Sequence, residues 1–435
     1  MPSNINLELL QRRYNTMGKS SPLFYEQPLH LVRGEGVWLF DNEGKRYLDV
    51  YNNVPHVGHC NPRVVEALHQ QATTLNIHTR YLHDNIVEYI ERLTATFGDG
   101  LSMAMLTCTG SEANELAMRM ARHCTGGQGM IVTDFAYHGN TEAVAEIGTG
   151  FMPEAKHTKR VKSFPIPDSY RGIDGVAEDK LADAYVACIQ RAIDEFTEEG
   201  IKVAGMLVCP DFANEGLLNV PKGFMERATA LVRKAGGVLI ADEVQVGFGR
   251  SGKHMWAHQW YDLTPDIVTM GKPMGNGHPL AGLVARADMI EEFSKVAMYF
   301  NTFGGNPVSC AVGMAVLDAL QEDRLMENAL STGAYVTRGL RRLQEKYPLI
   351  GEVRELGMFF AVELVLDRTT KAPAIVEARR VINLMRDKGV LISTIGVTDS
   401  ILKLRPPMPF QPEHADLLLA TLDEVMDIVS RESAV

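Results

Sequence analysis

Two ionisable residues close apolar runs, where an unpaired charge is expensive. Asp242 ends Val238-Leu239-Ile240-Ala241, and Lys272 ends Ile267-Val268-Thr269-Met270-Gly271. Desolvation disfavours an ammonium, so a lysine in such a setting tends to a lowered pKa and to the free amine. A free amine is what Schiff-base chemistry with a carbonyl compound needs. The carboxylate suits a different role, in which it faces a cationic ring nitrogen and keeps it protonated, so that the ring can absorb electrons. Taken singly, each has a commoner reading. Asp242 or its neighbour Glu243 would cap a helix or complete a structural pair, and Lys272 would be a solvated surface charge. Their placement on successive strand ends is what favours chemistry.

Two further segments offer what a planar, phosphorylated carbonyl cofactor would require. Thr109-Gly110-Ser111-Glu112-Ala113 lies between an apolar run and a helical one, with Gly110 for close approach and Ser111 at the expected cap. A helix N-terminus binds phosphate through free N–H groups and the dipole. An ordinary serine cap with Glu112 in the first turn is the alternative. Phe135-Ala136-Tyr137-His138-Gly139 offers an aromatic ring to stack on a planar ligand, though most aromatics are core. Each segment is weak alone; a pyridoxal 5'-phosphate (PLP) pyridinium is the kind of ring that needs an acid such as Asp242.

The elements that must position these residues alternate along the chain. Short apolar runs at 103–108, 130–133, 206–208, 238–241, 267–270 and 280–284 read as strands. Between them lie helical stretches such as 111–123, where Ala113, Leu116, Ala117, Met120 and Ala121 share one face. Another, 224–234, is closed by Gly236-Gly237. Such alternation predicts an α/β architecture with a mainly parallel sheet, whose ligands bind beyond the carboxyl ends of the strands. From about 325 the pattern changes to a helix at 325–346, a strand pair at 351–356 and 359–366, and helices at 376–388 and 412–430. That reads as a smaller α+β domain. At the other end, 1–20 reads as a surface helix, and 30–50 as a hairpin around the turn Asp41-Asn42-Glu43-Gly44. The expected division is an N-terminal segment 1–50 belonging to the small domain, a large cofactor domain 51–325 and a small domain 326–435.

Composition narrows the partners. The 435 residues are 46% hydrophobic and 22% charged, within the soluble globular range. A net charge of −11 argues against nucleic acid or an anionic membrane, while a few local cations can still hold a small anionic substrate. No apolar stretch is long enough to span a bilayer, and 1–20 shows no signal peptide. With six scattered cysteines and no CxxC pair, the expected place is the cytoplasm. Gly247-Phe248-Gly249-Arg250-Ser251-Gly252 fits GxGxxG, the basis of a remote reading as a nucleotide-binding oxidoreductase. It does not directly follow a strand or open an apolar helix. His56, His59 and Cys60 lack the further ligands a tetrahedral metal site needs, so no metal is expected.

In their order and spacing, the Asp242, Lys272, Thr109–Ala113 and Tyr137 segments resemble the class III aminotransferase family, PLP enzymes of fold type I. The resemblance runs from about Leu29 to the C-terminal helix. It implies a large domain with a mainly parallel seven-stranded sheet, and Lys272 as both cofactor lysine and proton shuttle. Asp242 would pair with the ring nitrogen, Gln245 with the ring hydroxyl, and Gly110 and Ser111 with the phosphate. Val244 and Tyr137 would sandwich the ring, with His138 beside it. Thr302, in Asn301-Thr302-Phe303-Gly304-Gly305-Asn306-Pro307, resembles the threonine that reaches the phosphate from a neighbouring subunit, which implies a homodimer or a dimer of dimers.

The reaction is less fixed. Family members acting on α-amino acids carry an arginine before the C-terminal Pro-Pro; in Leu402-Lys403-Leu404-Arg405-Pro406-Pro407 that place falls to Lys403, and lysine does not replace arginine at a forked carboxylate contact. This segment resembles the ethanolamine-phosphate phospho-lyase branch and its phospho-hydroxylysine relatives. So do 53–60, 80–87, 242–253, 269–279 and 301–312. The branch implies a β-elimination with ammonia release from a small anionic amine, and Arg80, Lys403 and Arg405 are the candidate cations for its head group. One stretch departs from the branch: Cys209-Pro210-Asp211-Phe212-Ala213-Asn214-Glu215 stands where a Glu-Pro or Glu-Ser segment is expected. That wall admits a different substrate, and 2-amino-1-hydroxyethylphosphonate joins ethanolamine phosphate as a candidate. An ω-amine or amino-acid transaminase remains the alternative.

Overall fold

The computed structural model describes residues 4–98, 100–150 and 158–433. Its main sheet has seven strands in the order Met103–Thr107, Ala281–Ala285, Ile267–Met270, Val238–Asp242, Val203–Val208, Gly129–Thr133, Val161–Phe164. The last five pair in parallel, and only Ala281–Ala285 runs antiparallel to both of its neighbours. Central parallel strands are apolar on both sides because helices cover both faces. On one face Met130, Val132, Leu207 and Ile240 pack with Leu116, Met120 and Ala121 of helix Gly110–Thr125. On the other Ile131, Met206, Val208 and Leu239 meet helices Leu181–Glu198 and Phe224–Lys234. Every expected strand of this sheet is present.

The strand Val161–Phe164 was not anticipated. Lys159, Arg160 and Lys162 break its apolar pattern because it lies at the sheet edge, where charge is tolerated and useful. Lys162 pairs there with Glu199 at 2.8 Å and Glu195 at 3.3 Å.

A second sheet orders Ile350–Glu355, Phe360–Asp367, Ile401–Leu404 and Ser393–Ile395, with Ala372–Pro373 pairing alongside. Helices Leu325–Lys346, Ile375–Asp387 and Pro412–Glu432 accompany it. The hairpin predicted near 30–50 forms from Trp38–Asp41 and Arg46–Asp49, and its turn is tied by Asp41 Oδ1, which accepts from the amides of Glu43 and Lys45. It gains a third strand, Leu31–Glu35, on one side. On the other side Val390–Leu391 pairs in parallel with Arg46–Asp49, so the two ends of the chain share one sheet. No helix among the described residues is long and apolar enough to cross a membrane.

Candidate active site

Asp242 ends its strand 5% exposed. Its Oδ1 accepts from the Val244 amide at 3.0 Å, and its Oδ2 accepts from Asn114 Nδ2 at 3.0 Å and lies 2.7 Å from His138 Nδ1. Asn114 is itself held, because Thr269 Oγ1 donates to its Oδ1 at 2.6 Å and its Nδ2 also reaches the His138 carbonyl at 2.7 Å. Three strand ends and one helix thereby fix a single carboxylate. The adjacent Glu243 faces the opposite way and does structural work. It accepts from the amides of Ala257 and His258 and from the His258 ring, at 2.7–2.9 Å.

Lys272 and Asp242 line one cavity of about 260 Å³, together with Gly110, Ser111, Tyr137, His138, Val244 and Gln245. Burial, reinforced by the Arg405 charge, lowers the Lys272 pKa against the opposing pull of Asp242. The sequence-based expectation of a desolvated amine therefore holds. His138 Nε2 is buried in the same place without a hydrogen-bond partner among the described residues.

The segment expected to hold a phosphate needs one correction. Thr109, not Ser111, is the cap of helix Gly110–Thr125: its side chain accepts from the Glu112 amide, and Glu112 Oε2 reaches back to the Thr109 amide at 2.9 Å. Thr109 has the extended backbone that a cap requires, with φ −136° and ψ 152°. Ser111 is already inside the helix, and its hydroxyl bonds Asn140 instead. The helix still presents its first N–H groups to the cavity, where they lack intrahelical acceptors. Gly110 is required there, since a Cβ would lie 2.9 Å from Val244 Cγ1.

The expected substrate cations divide. Lys403 and Arg405 are buried directly behind Gln245, and both donate to its Oε1, Lys403 at 3.1 Å. Gln245 Nε2 donates to Asn214 Oδ1 at 2.9 Å, and Arg405 also reaches the Tyr51 carbonyl at 3.3 Å. Among the described residues neither cation forms an ion pair. Burial, then the Arg405 and Lys272 charges, holds Lys403 well below the usual lysine range, and burial pushes Arg405 down to about 10. Arg80 lies elsewhere, exposed, with its guanidinium 4.0 Å from the Phe300 ring centre. Thr302 is exposed on the neighbouring loop and does not line the cavity.

The glycine-rich segment 247–252 is a run of turns that opens no helix. Its Arg250 is buried, donating to the carbonyls of Met358 and Pro406 and lying 3.1 Å from His56 Nδ1. His59 pairs with Asp49 at 2.7 Å. Sequence reasoning missed Asn114 and Asn214. No local pattern marks them, and the Asp242 partner of Asn114 is 128 residues away.

Sheet, strand-end lysine and strand-end aspartate define a PLP-dependent enzyme of fold type I. The sequence matches the aminotransferase class-III family over residues 23–426, and the chain belongs to that family. It is 39% identical over 439 residues to the alanine–glyoxylate aminotransferase 2-like protein of Drosophila melanogaster, covering 98% of this chain and 88% of that one. It is 34% identical to the ethanolamine-phosphate phospho-lyase homolog 1 of Caenorhabditis elegans, covering 98% and 94%. Among solved structures, an Arthrobacter phospholyase in complex with phosphoethanolamine superposes with a TM-score of 0.93 at 46% identity, covering 96% of this chain and 99% of that one. An ω-transaminase from Thermomicrobium roseum superposes at 0.86 with 30% identity, covering 97% and 98%.

Proposed function

We propose that this chain is a PLP-dependent lyase that releases ammonia by β-elimination from a small amine bearing a phosphate or phosphonate. One observation carries the reading: Lys403 and Arg405, both buried, share a single neutral acceptor, Gln245 Oε1, and no carboxylate among the described residues pairs with them. A buried guanidinium and a buried amine whose protonated form an anion would stabilise, both behind one amide, favour a bound anion over water. The likeness to the phosphoethanolamine-bound phospholyase supports the same substrate class.

The cavity fits the cofactor. Asp242, fixed by three donors, would face the ring nitrogen; Gly110, Ser111 and the helix N-terminus would take the phosphate; Tyr137 and Val244 would flank the ring, with His138 beside it and Gln245 at its hydroxyl. Bound there, PLP supplies an electron sink beside the substrate amine. Lys272 Nζ, its pKa lowered, takes the proton from the amine-bearing carbon. Lys403 and Arg405 hold the anionic head and so place the neighbouring carbon and its leaving group. The group departs, and the released enamine hydrolyses to an aldehyde and ammonia. In a homodimer or a dimer of dimers within the cytoplasm, Thr302 would reach toward the partner's phosphate, and Arg80 would be a further cation for the substrate's anionic head.

Incubation of the holoenzyme without an amino acceptor tests this. Ammonia with inorganic phosphate from ethanolamine phosphate, or ammonia alone from 2-amino-1-hydroxyethylphosphonate, is the expected result. Turnover that appears only when pyruvate or 2-oxoglutarate is added would establish a transaminase instead. The likeness to the Drosophila aminotransferase-like protein favours that second reading.

A further inference from the structure

The wall that departs from the phospho-lyase pattern holds a buried thiol and a buried carboxyl in contact. Cys209 follows the Val203–Val208 strand and lines the same cavity as Lys272 and Gln245. Its Sγ donates to Asp211 Oδ1 at 3.1 Å. Asp211 is 2% exposed, and among the described residues its Oδ2 has no hydrogen-bond partner and its carboxyl forms no ion pair. A carboxyl group buried in that way is more stable as the acid. Burial, with Glu243 and Glu215 nearby, raises it to about 7 against the Cys209 hydrogen bond, and burial keeps the Cys209 thiol protonated. The loop holds this pair by a tight turn. Phe212 and Leu217 both take left-handed backbone, with φ 50° and 53°, and the Phe212 amide donates to the Cys209 carbonyl at 2.9 Å. Strain of that kind at non-glycine residues collects where function demands it.

We propose that Cys209 and Asp211 deliver a proton to the departing group, and therefore that this group is a hydroxyl and not a phosphate. The inference rests on the elimination reading above. A phosphate departs as a stable anion and needs no donor at this point, whereas a hydroxide does. As the carbon–oxygen bond breaks, its electron pair stays on oxygen. The Cys209 thiol proton, which at rest points at Asp211 Oδ1, turns into the cavity by rotation about the Cβ–Sγ bond, and that oxygen takes it and leaves as water. The thiolate takes the Asp211 proton, and Asp211 is recharged from solvent, which also receives the proton that Lys272 removed from carbon. Cys209 touches the leaving group; Asp211 acts through it. The substrate class this describes is a β-hydroxy amine with an anionic head, of the 2-amino-1-hydroxyethylphosphonate type.

The test uses holoenzyme, wild type and the variants Asp211→Asn, Cys209→Ala and Cys209→Ser, with 2-amino-1-hydroxyethylphosphonate and no amino acceptor. Ammonia release reports the complete elimination. Deuterium wash-in at the amine-bearing carbon in D2O reports proton removal by Lys272 alone. Asp211→Asn and Cys209→Ala are expected to lower ammonia release by about 100-fold, with deuterium exchange within about 3-fold of wild type, and Cys209→Ser to recover about a tenth of the wild-type rate. Retained exchange also shows that a variant is folded and loaded. Both signals falling together, or neither changing, overturns the inference. Faster phosphate release from ethanolamine phosphate than ammonia release from the hydroxy substrate overturns it too. Wild-type enzyme that releases ammonia from neither substrate refutes the lyase reading itself, and this inference with it, before any variant is made.

Discussion

Lys403 is a buried amine beside Arg405 and Lys272, and burial, then those two neighbours, favours its neutral form. A bound phosphate or phosphonate would reverse that balance by supplying the opposite charge. Substrate-analogue binding should therefore take up a proton, and affinity should fall as pH rises from the free-state pKa to the bound-state pKa. Calorimetry in two buffers of different ionisation enthalpy would show the uptake, and Lys403→Met would abolish it. Lys272→Ala should remove ammonia release altogether, because no other lysine among the described residues lines the cavity; turnover in that variant would reassign the base. Asp211 works as an acid, so its useful form is present below its pKa of about 7 and is lost above it. Ammonia release from the hydroxy substrate should thus decline as pH rises through about 7, and the residual activity of Asp211→Asn should lack that decline. The groups that share this field are Cys209 and Glu215 on the same loop, Glu243 after the next strand, and Lys403, Arg405, Arg250 and Tyr261. At this scale Asp242 and Lys272 were legible, because a charge at the end of an apolar strand stands out in one dimension. Asn114 and Asn214 were not, since their meaning lies in partners that only folding brings near.

Elements determine which of two adjacent acids faces the cavity. Asp242 and Glu243 leave the same strand end in opposite directions. One enters the cavity, and the other caps the short helix Ala257–Tyr261. Glu243→Ala should therefore cost about 3 kcal/mol of stability by stranding buried donors, read as a fall in thermal midpoint, whereas Asp242→Asn, which keeps an acceptor for the Val244 amide, should lose PLP affinity with a smaller change in that midpoint. Gly110→Ala places a methyl group 2.9 Å from Val244. It should weaken PLP retention, measured by dialysis against phosphate, while far-UV dichroism stays unchanged. The central strands and long helices were readable because burial on two faces, or on one stripe, leaves a periodic trace. Val161–Phe164 escaped because an edge strand needs no such trace, and the cap was misplaced by two residues because Thr109 and Ser111 are equally good cap types. Only backbone geometry separates them.

On the scale of the whole molecule, Leu82, Met298 and Phe303 are largely exposed, and Tyr81 and Phe300 pack around His78 close to Arg80. So much apolar surface beside Thr302 fits the proposed dimer. Phe303→Asp should shift the species in light scattering from dimer to monomer and loosen PLP, because Thr302 would then lose its neighbour. The second sheet is also tied to the loop that follows the Val203–Val208 strand: buried Arg354 donates to Glu352 and Glu363 of its own sheet and to the Gly216 carbonyl, the last just beyond the Cys209–Asp211 pair. The pairing of the first hairpin with Val390–Leu391 has a consequence for how the chain is made. Lys45 bonds the Asp387 carbonyl 342 residues away, and Tyr25 bonds that of Ile392 across 367. At the ribosome's pace of about 5–20 residues per second, the hairpin waits roughly 20–70 s for its partner strand to be synthesised. During that interval Leu39, Tyr47 and Leu48, all buried in the finished protein, are open to chaperones and to stray pairing with other nascent chains. The sheet is completed late, so a ribosome that stalls before Val390 leaves the Arg46–Asp49 edge without its parallel partner.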